Sequence, residues 1–208
     1  MKIGIFGGTF NPPHNGHVRL VTDFADRLGL DKVFIVPCKR PVHKTWDDLI
    51  MDDMRYDMCA LAFTDKRFEV SRIEIDRYSD SFTVYTLMQL KEQYPDDEFY
   101  LIIGSDMFLC FHKWYKHRII MDNCTLCVAS RDDEDSIYAL RSYAFSQFRI
   151  YIKEIEGRGI IISPMKPFKA SSSEIRSIIK SGNDASEFLT AEVYDYIKKR
   201  GLYGYGKK

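Results

Sequence analysis

The chain has 208 residues, 45% hydrophobic and 29% charged, with 30 basic and 30 acidic side chains giving a formal net charge of zero. Those numbers fit one soluble α/β domain over residues 1–208, with residues 170–208 as a small C-terminal helical part. They exclude a polyanion-binding surface of the usual nucleic-acid kind, though not a local basic pocket. No apolar run approaches the roughly 20 residues of a membrane span, and the strand-like start lacks a signal-peptide layout, so a cytoplasmic protein is expected.

In chain order, an apolar strand (residues 2–6) runs into the paired glycines Gly7 and Gly8. A polar turn, Thr9-Phe10-Asn11-Pro12-Pro13, then leads to His14-Asn15-Gly16-His17 at the start of a helical pattern over residues 17–28. A β-rich run at 32–36 precedes a loop, 37–48, whose two prolines and several cations suggest mobility. Helical patterns follow at 51–62 and 83–93, strands at 99–103 and 124–129, a helix at 134–145 and a strand at 159–162. The acidic cluster Asp132-Asp133-Glu134-Asp135 reads as a solvated turn with its acids near a helix N-terminus. Continuous apolar strands separated by helices predict a Rossmann-like, doubly wound parallel sheet covered on both faces. Ligands in such sheets bind outside the carboxyl ends of the strands, where the chain order reverses. Three such ends carry Gly- or Pro-marked loops: after Phe6, after Val36 and after Ile103.

Two segments carry chemistry. In the first, glycines at 7 and 8 let backbone amides approach a ligand closely, because no Cβ intervenes. Asn15 is expected to cap the following helix, whose first unpaired N–H groups form an anion site. Two imidazoles beside that site can donate to phosphate oxygens whose charge grows during a reaction. The second segment is Ala170-Ser171-Ser172-Ser173-Glu174-Ile175-Arg176. Serine ahead of Glu174, with Ile175, Ile178 and Ile179 periodic behind it, predicts a capping-box helix start, and Gly182 its stop. The serine amides and hydroxyls also form an anion nest, with Arg176 placed in the first turn to reach the same anion. Cys124 and Cys127 match C-x-x-C, but with no second pair or histidine pair to complete four ligands they read as small hydrophobes of a buried strand.

Together the two segments resemble the nucleotidyltransferase superfamily with a T/H-x-G-H motif and a late S-S-x-x-I-R motif. Within it, the chain is similar to the bacterial nicotinate-nucleotide adenylyltransferases nearly end to end. Residues 7–17 resemble G-G-T-F-[DN]-P-x-H-x-G-H, and Pro41-Val42-His43-Lys44 resembles P-x-H-K. Residues 81–87 resemble S-Y-T-x-x-T-L, and Ile102-Ile103-Gly104-Ser105-Asp106 followed by Trp114-Tyr115 resembles I-I-G-x-D with its later W-Y/H. Residues 193–203 resemble the closing V-x-x-Y-I…L-Y helix. Asn11 stands where Asp is commoner, Ala170 where isoleucine often precedes the serines, and Tyr85 at a position that is often Asp, so no role is assigned to the Tyr85 side chain.

The resemblance implies the nucleotidylyltransferase fold and the reaction of ATP with nicotinate mononucleotide to give nicotinate adenine dinucleotide and pyrophosphate. It implies catalytic roles for His14, His17, Lys44 and Arg176, with His17 nearest the α-phosphate. ATP would be held by Gly7, Gly8, Thr9, Phe10, Ser171 and Ser172, and its ribose by Asp106 with Gly104 giving room. Nicotinate mononucleotide would meet His43, Thr83, Thr86, Trp114 and Tyr115: Trp114 stacks on the pyridine, while the Thr86 hydroxyl and the Tyr115 backbone N–H bind its carboxylate. Mg²⁺ would bridge the phosphates, held largely by phosphate oxygens and water, since no carboxylate cluster is evident. The expected partners are these small molecules alone, with no nucleic acid and no membrane; the Tyr-rich terminal helix (Tyr194, Tyr196, Tyr203) is read as packing that could also support a homo-oligomer. Rival readings are phosphopantetheine adenylyltransferase, usually a shorter chain, a class I aminoacyl-tRNA synthetase fragment, and a nucleotide sensor without catalysis.

Overall fold

The computed structural model describes residues 1–39, 49–131, 133–150, 159–166 and 168–206. His43, Lys44 and Trp46, with most of the 37–48 loop, lie outside the described residues. Six strands, β1 (Lys2–Gly8), β2 (Lys32–Pro37), β3 (Phe68–Val70), β4 (Glu98–Gly104), β5 (Thr125–Arg131) and β6 (Ile160–Met165), form one parallel sheet in the order β3-β2-β1-β4-β5-β6. The order reverses between β1 and β4, the switch point of a doubly wound sheet. There the register sets Ile3 against Phe99 and Ile5 against Leu101. The strands read as unbroken apolar runs because both sheet faces are covered: Ile3, Ile5, Leu101, Ile102, Leu126 and Val128 are all buried.

Eight α-helices are described: α1 (Asn15–Leu28), α2 (Asp52–Ala62), α3 (Thr83–Gln93), α4 (Ser105–Phe108), α5 (His117–Asn123), α6 (Glu134–Phe148), α7 (Ser172–Lys180) and α8 (Ala191–Arg200). The sequence patterns missed β3, α4 and α5, which are too short for a hydrophobic period to register. Asp133, from the acidic cluster expected near a helix N-terminus, is the cap of α6 and accepts from the Ser136 N–H. α7 opens with the expected capping box: the Ser171 hydroxyl accepts from the Glu174 N–H, and the Glu174 carboxylate accepts from the Ser171 N–H. Those bonds hold the Glu174 carboxyl below its usual pKa.

The chain forms two compact units. Unit 1 comprises Met1–Gly7, Asp23–Val33 and Phe82–Pro167; unit 2 comprises Gly8–Thr22, Phe34–Ser81 and Phe168–Lys208. In unit 1, Phe108 and Phe111 are buried and both pack on Phe148, with ring centroids 6.3 and 6.1 Å apart. Cys124 and Cys127 are buried here, and burial pushes both thiols well above the ordinary range, as expected of small hydrophobes. In unit 2, the core is built from Ile35, Val36, Met58, Cys59, Ile175, Ile179, Val193 and Ile197.

Candidate active site

Unit 2 gathers the first segment's loop and α7. Gly8 must be glycine for a reason beyond ligand approach: a Cβ there would lie 2.9 Å from the Phe10 ring, which folds back under it. Phe10 is buried at φ 48, a conformation that non-glycine residues rarely adopt, and its ring meets Phe63 edge-on at 5.6 Å. The packing of that ring holds the backbone in place. Gly16 serves close packing as well, since a Cβ would fall 2.6 Å from Phe168.

The expected cap is displaced by one residue. Asn15 is the first helical residue, and its amide donates to the Glu187 carbonyl instead of capping. His14 precedes the helix, its carbonyl accepting from the His17 and Val18 N–H groups. His17 Nδ1 in turn accepts from the His14 N–H at 3.1 Å, as a capping-box glutamate would. A backbone N–H can only donate, so His17 Nδ1 carries no proton and the neutral ring presents Nε2–H as a donor. The two imidazoles stack at 3.6 Å, and Phe168 stacks on the other face of His14 at 5.0 Å. His14 Nδ1 is buried without a hydrogen-bond partner among the described residues, and burial pushes the ring's pKa down to about 4.

Because His14 is neutral when folded but titrates near 6.5 when unfolded, its contribution to stability is present above that value and is lost as pH falls toward 4. Between pH 7 and 5 the loss should be about 2 kcal/mol. Urea unfolding of the wild type and of His14→Phe at both pH values measures it. Equal pH dependence in the two proteins would contradict a buried neutral ring.

α7 grips the same loop. The Ser172 hydroxyl donates to the Pro12 carbonyl at 2.9 Å, and Arg176 Nη1 donates to the Asn11 carbonyl at 2.9 Å. Arg176 is the fifth helical residue, so it sits just beyond the first turn where it was expected. The Ser171 hydroxyl is engaged with Glu174. Three further residues of the loop's surroundings are not among the site residues expected from the sequence. Phe168 forms one wall of the His14 stack. Tyr203, taken as packing, donates its hydroxyl to Asn11 Oδ1 at 2.9 Å, and burial raises its pKa. Arg55 is fully buried on the core face of α2. Its guanidinium donates to the carbonyls of Thr9 (2.7 Å), Cys38 (2.6 Å) and Ile50 (3.3 Å) and to Asp52 Oδ1 (2.6 Å). The signal was a lone cation in the i, i+3, i+4, i+7 row Arg55, Met58, Cys59, Ala62, all four buried.

The remaining candidates belong to unit 1, as does Gly7 by its place in β1. Gly104 ends β4, and a Cβ there would meet Asp106 Oδ1 at 2.7 Å, so the glycine makes room for that carboxylate, which is exposed in the first turn of α4. Thr83 opens α3 and Thr86 is buried within it. Trp114 packs on Phe111 at 5.1 Å, and its indole N–H is buried without a partner among the described residues. Tyr115 is exposed and its ring lies 4.7 Å from that of Phe82.

A cytidylyltransferase-like family model matches residues 5–178. A relative from Dictyoglomus thermophilum, curated as a probable nicotinate-nucleotide adenylyltransferase, is 36% identical over 98% of this chain and 100% of its own. One of the same description from Geotalea daltonii is 34% identical over the whole of both chains. Among solved structures, the Plasmodium falciparum nicotinic acid mononucleotide adenylyltransferase complexed with NaAD aligns over 100% of this chain and 99% of its own, with a TM-score of 0.76 and 21% identity. That likeness shows the nucleotidyltransferase fold. The full-length relatives show more: this chain belongs to the nicotinate-nucleotide adenylyltransferase family.

Proposed function

We propose that the chain transfers the adenylyl group of ATP to nicotinate mononucleotide, forming nicotinate adenine dinucleotide and pyrophosphate in NAD biosynthesis. The observation that carries the reading is the stacked His14–His17 pair at the N-terminus of α1, with His17 Nδ1 accepting from the His14 N–H. A mononucleotide phosphate oxygen attacks the α-phosphorus, the bond from that phosphorus to the bridging oxygen breaks, and pyrophosphate leaves with the electron pair. The attacking phosphate is already an anion, so no general base is required, and alignment plus charge neutralisation supply the rate. His17 Nε2–H donates to the α-phosphate as its charge builds, and His14 completes the pair. Gly7, Gly8, Thr9 and Phe10 hold the nucleotide through their backbone. Ser171, Ser172 and Arg176 face the leaving pyrophosphate; since both hydroxyls are engaged, the first-turn amides of α7 supply the anion contacts.

In the same reading, Asp106 bonds a ribose hydroxyl, Trp114 stacks on the pyridine, and Thr83, Thr86 and the Tyr115 N–H bind nicotinate mononucleotide. His43 and Lys44, outside the described residues, keep the roles that the resemblance gives them. Mg²⁺ would be carried on the ATP phosphates, where it would neutralise part of their charge. Cytoplasmic location and small-molecule partners complete the proposal; no described helix is long and apolar enough to cross a membrane.

Pyrophosphate release with ATP and Mg²⁺ tests it, with nicotinate mononucleotide, nicotinamide mononucleotide and phosphopantetheine offered in parallel. Release should be fastest with the nicotinate form, by about tenfold or more over the amide, because N–H and O–H donors favour a carboxylate. Release with phosphopantetheine alone would overturn the substrate, and silence with all three would overturn the reaction.

A further inference from the structure

The geometry points to Tyr85 as a positioning residue for nicotinate mononucleotide, tying the first turn of α3 to the Trp114–Tyr115 turn; this rests on the function proposed above. Three rings of unit 1 meet in pairs: Phe82–Tyr115 at 4.7 Å, Tyr85–Tyr115 at 5.8 Å and Phe82–Tyr85 at 6.0 Å. Phe82 is the residue before α3, and Tyr85 is its third residue. Tyr115 lies in a turn closed by the His117 N–H donating to the Trp114 carbonyl at 3.1 Å. That turn needs support, because Lys116 within it takes φ 52. The Lys116 ammonium sits 5.2 Å from the centre of the Tyr115 ring, an attraction that holds the strained residue to the same cluster.

These rings are not a buried core. Tyr85 is 37% exposed and Tyr115 43%, so their packing contributes little to the fold by burial. What it joins is specific: Thr83 and Thr86 stand on one side of the link, and Trp114 and the Tyr115 N–H on the other. Hydrogen bonding with Tyr85 lowers the Tyr115 phenol's pKa, in keeping with the closeness of the two rings. The two elements assigned to the pyridine end are thereby fixed against each other before substrate arrives, which lowers the ordering cost of binding. The ATP-phosphate residues of unit 2 take no part in the link, so the effect of losing it falls on one substrate.

The test compares wild type, Tyr85→Phe and Tyr85→Ala in pyrophosphate release, varying each substrate at saturation of the other. Tyr85→Ala should raise the KM for nicotinate mononucleotide by about fivefold or more, with kcat and the KM for ATP within about twofold; Tyr85→Phe, which keeps the ring, should recover most of the loss. A second readout avoids turnover. In a Trp46→Phe background Trp114 is the one remaining tryptophan, and its fluorescence titrated with nicotinate mononucleotide should show the same weakening in Tyr85→Ala. A nicotinate KM within twofold of wild type, or equal rises in both KM values, would overturn the assignment. Wild-type protein inert toward nicotinate mononucleotide would instead refute the proposed function, and this inference with it.

Discussion

His17→Ala should lower kcat by about 10²–10³-fold, the loss expected when one preorganised donor to developing phosphate charge is removed. The KM for ATP should move far less, because the donor is worth most where charge builds in the transition state. The structure makes this change more than the loss of one imidazole. His17 also accepts the His14 N–H and forms one face of the His14 stack. A cap contact of that kind contributes about 1 kcal/mol, so the melting midpoint should fall by a few degrees while the fold persists. Single-turnover pyrophosphate release beside a melting curve separates the two effects. Turnover within about fivefold of wild type would remove His17 from the chemistry and leave it as a helix cap.

Arg55→Met should have the largest effect on stability. Methionine restores apolar volume but leaves the carbonyls of Thr9, Cys38 and Ile50 and the Asp52 carboxylate without their donor. Leaving three carbonyls and the partly exposed Asp52 carboxylate without the donor of a fully buried guanidinium costs about 3–5 kcal/mol in all, or a midpoint lower by about 10 °C for a chain of this size. Arg55→Lys should be intermediate, since an ammonium keeps the charge but cannot reach four acceptors as a planar fork does. Activity assayed well below the lowered midpoint should still fall, because the Thr9 carbonyl belongs to the loop proposed to hold the nucleotide. A midpoint within 2 °C of wild type would show that the guanidinium is dispensable.

Which parts of this were legible in sequence follows from where each signal lives. The helix at 83–93 was read with its true bounds, and the α7 capping box was read outright, because period and caps are local properties. The doubly wound parallel class follows from alternation of apolar runs and helices and was legible, whereas the strand order β3-β2-β1-β4-β5-β6 was not. The stretch 105–123 was not, since α4, a single 3-10 turn at Phe111–Lys113 and α5 are each too short to show a period. His14, His17, Ser172 and Arg176, which the structure gathers around one loop, stand out in the sequence because their spacing is itself the signal. Asn15 was misassigned because both it and His14 lie at the helix start, and only the backbone shows which one precedes the first turn. Phe168 and Tyr203 reach the loop from positions far along the chain, and no local pattern marks such contacts; Arg55 was marked only by a cation standing in an otherwise apolar helical row.

The fastening of that loop has a consequence for how the protein is made. Ser172 and Arg176 hold the carbonyls of Pro12 and Asn11 across separations of 160 and 165 residues, and Tyr203 holds the Asn11 side chain across 192. Chains emerge from the ribosome N-terminus first, so the loop is translated well before the three residues that fasten it. A nascent chain halted before α7 carries the whole histidine motif yet lacks every one of those three fastenings. The loop's fastening thus waits until α7 and Tyr203 have been made.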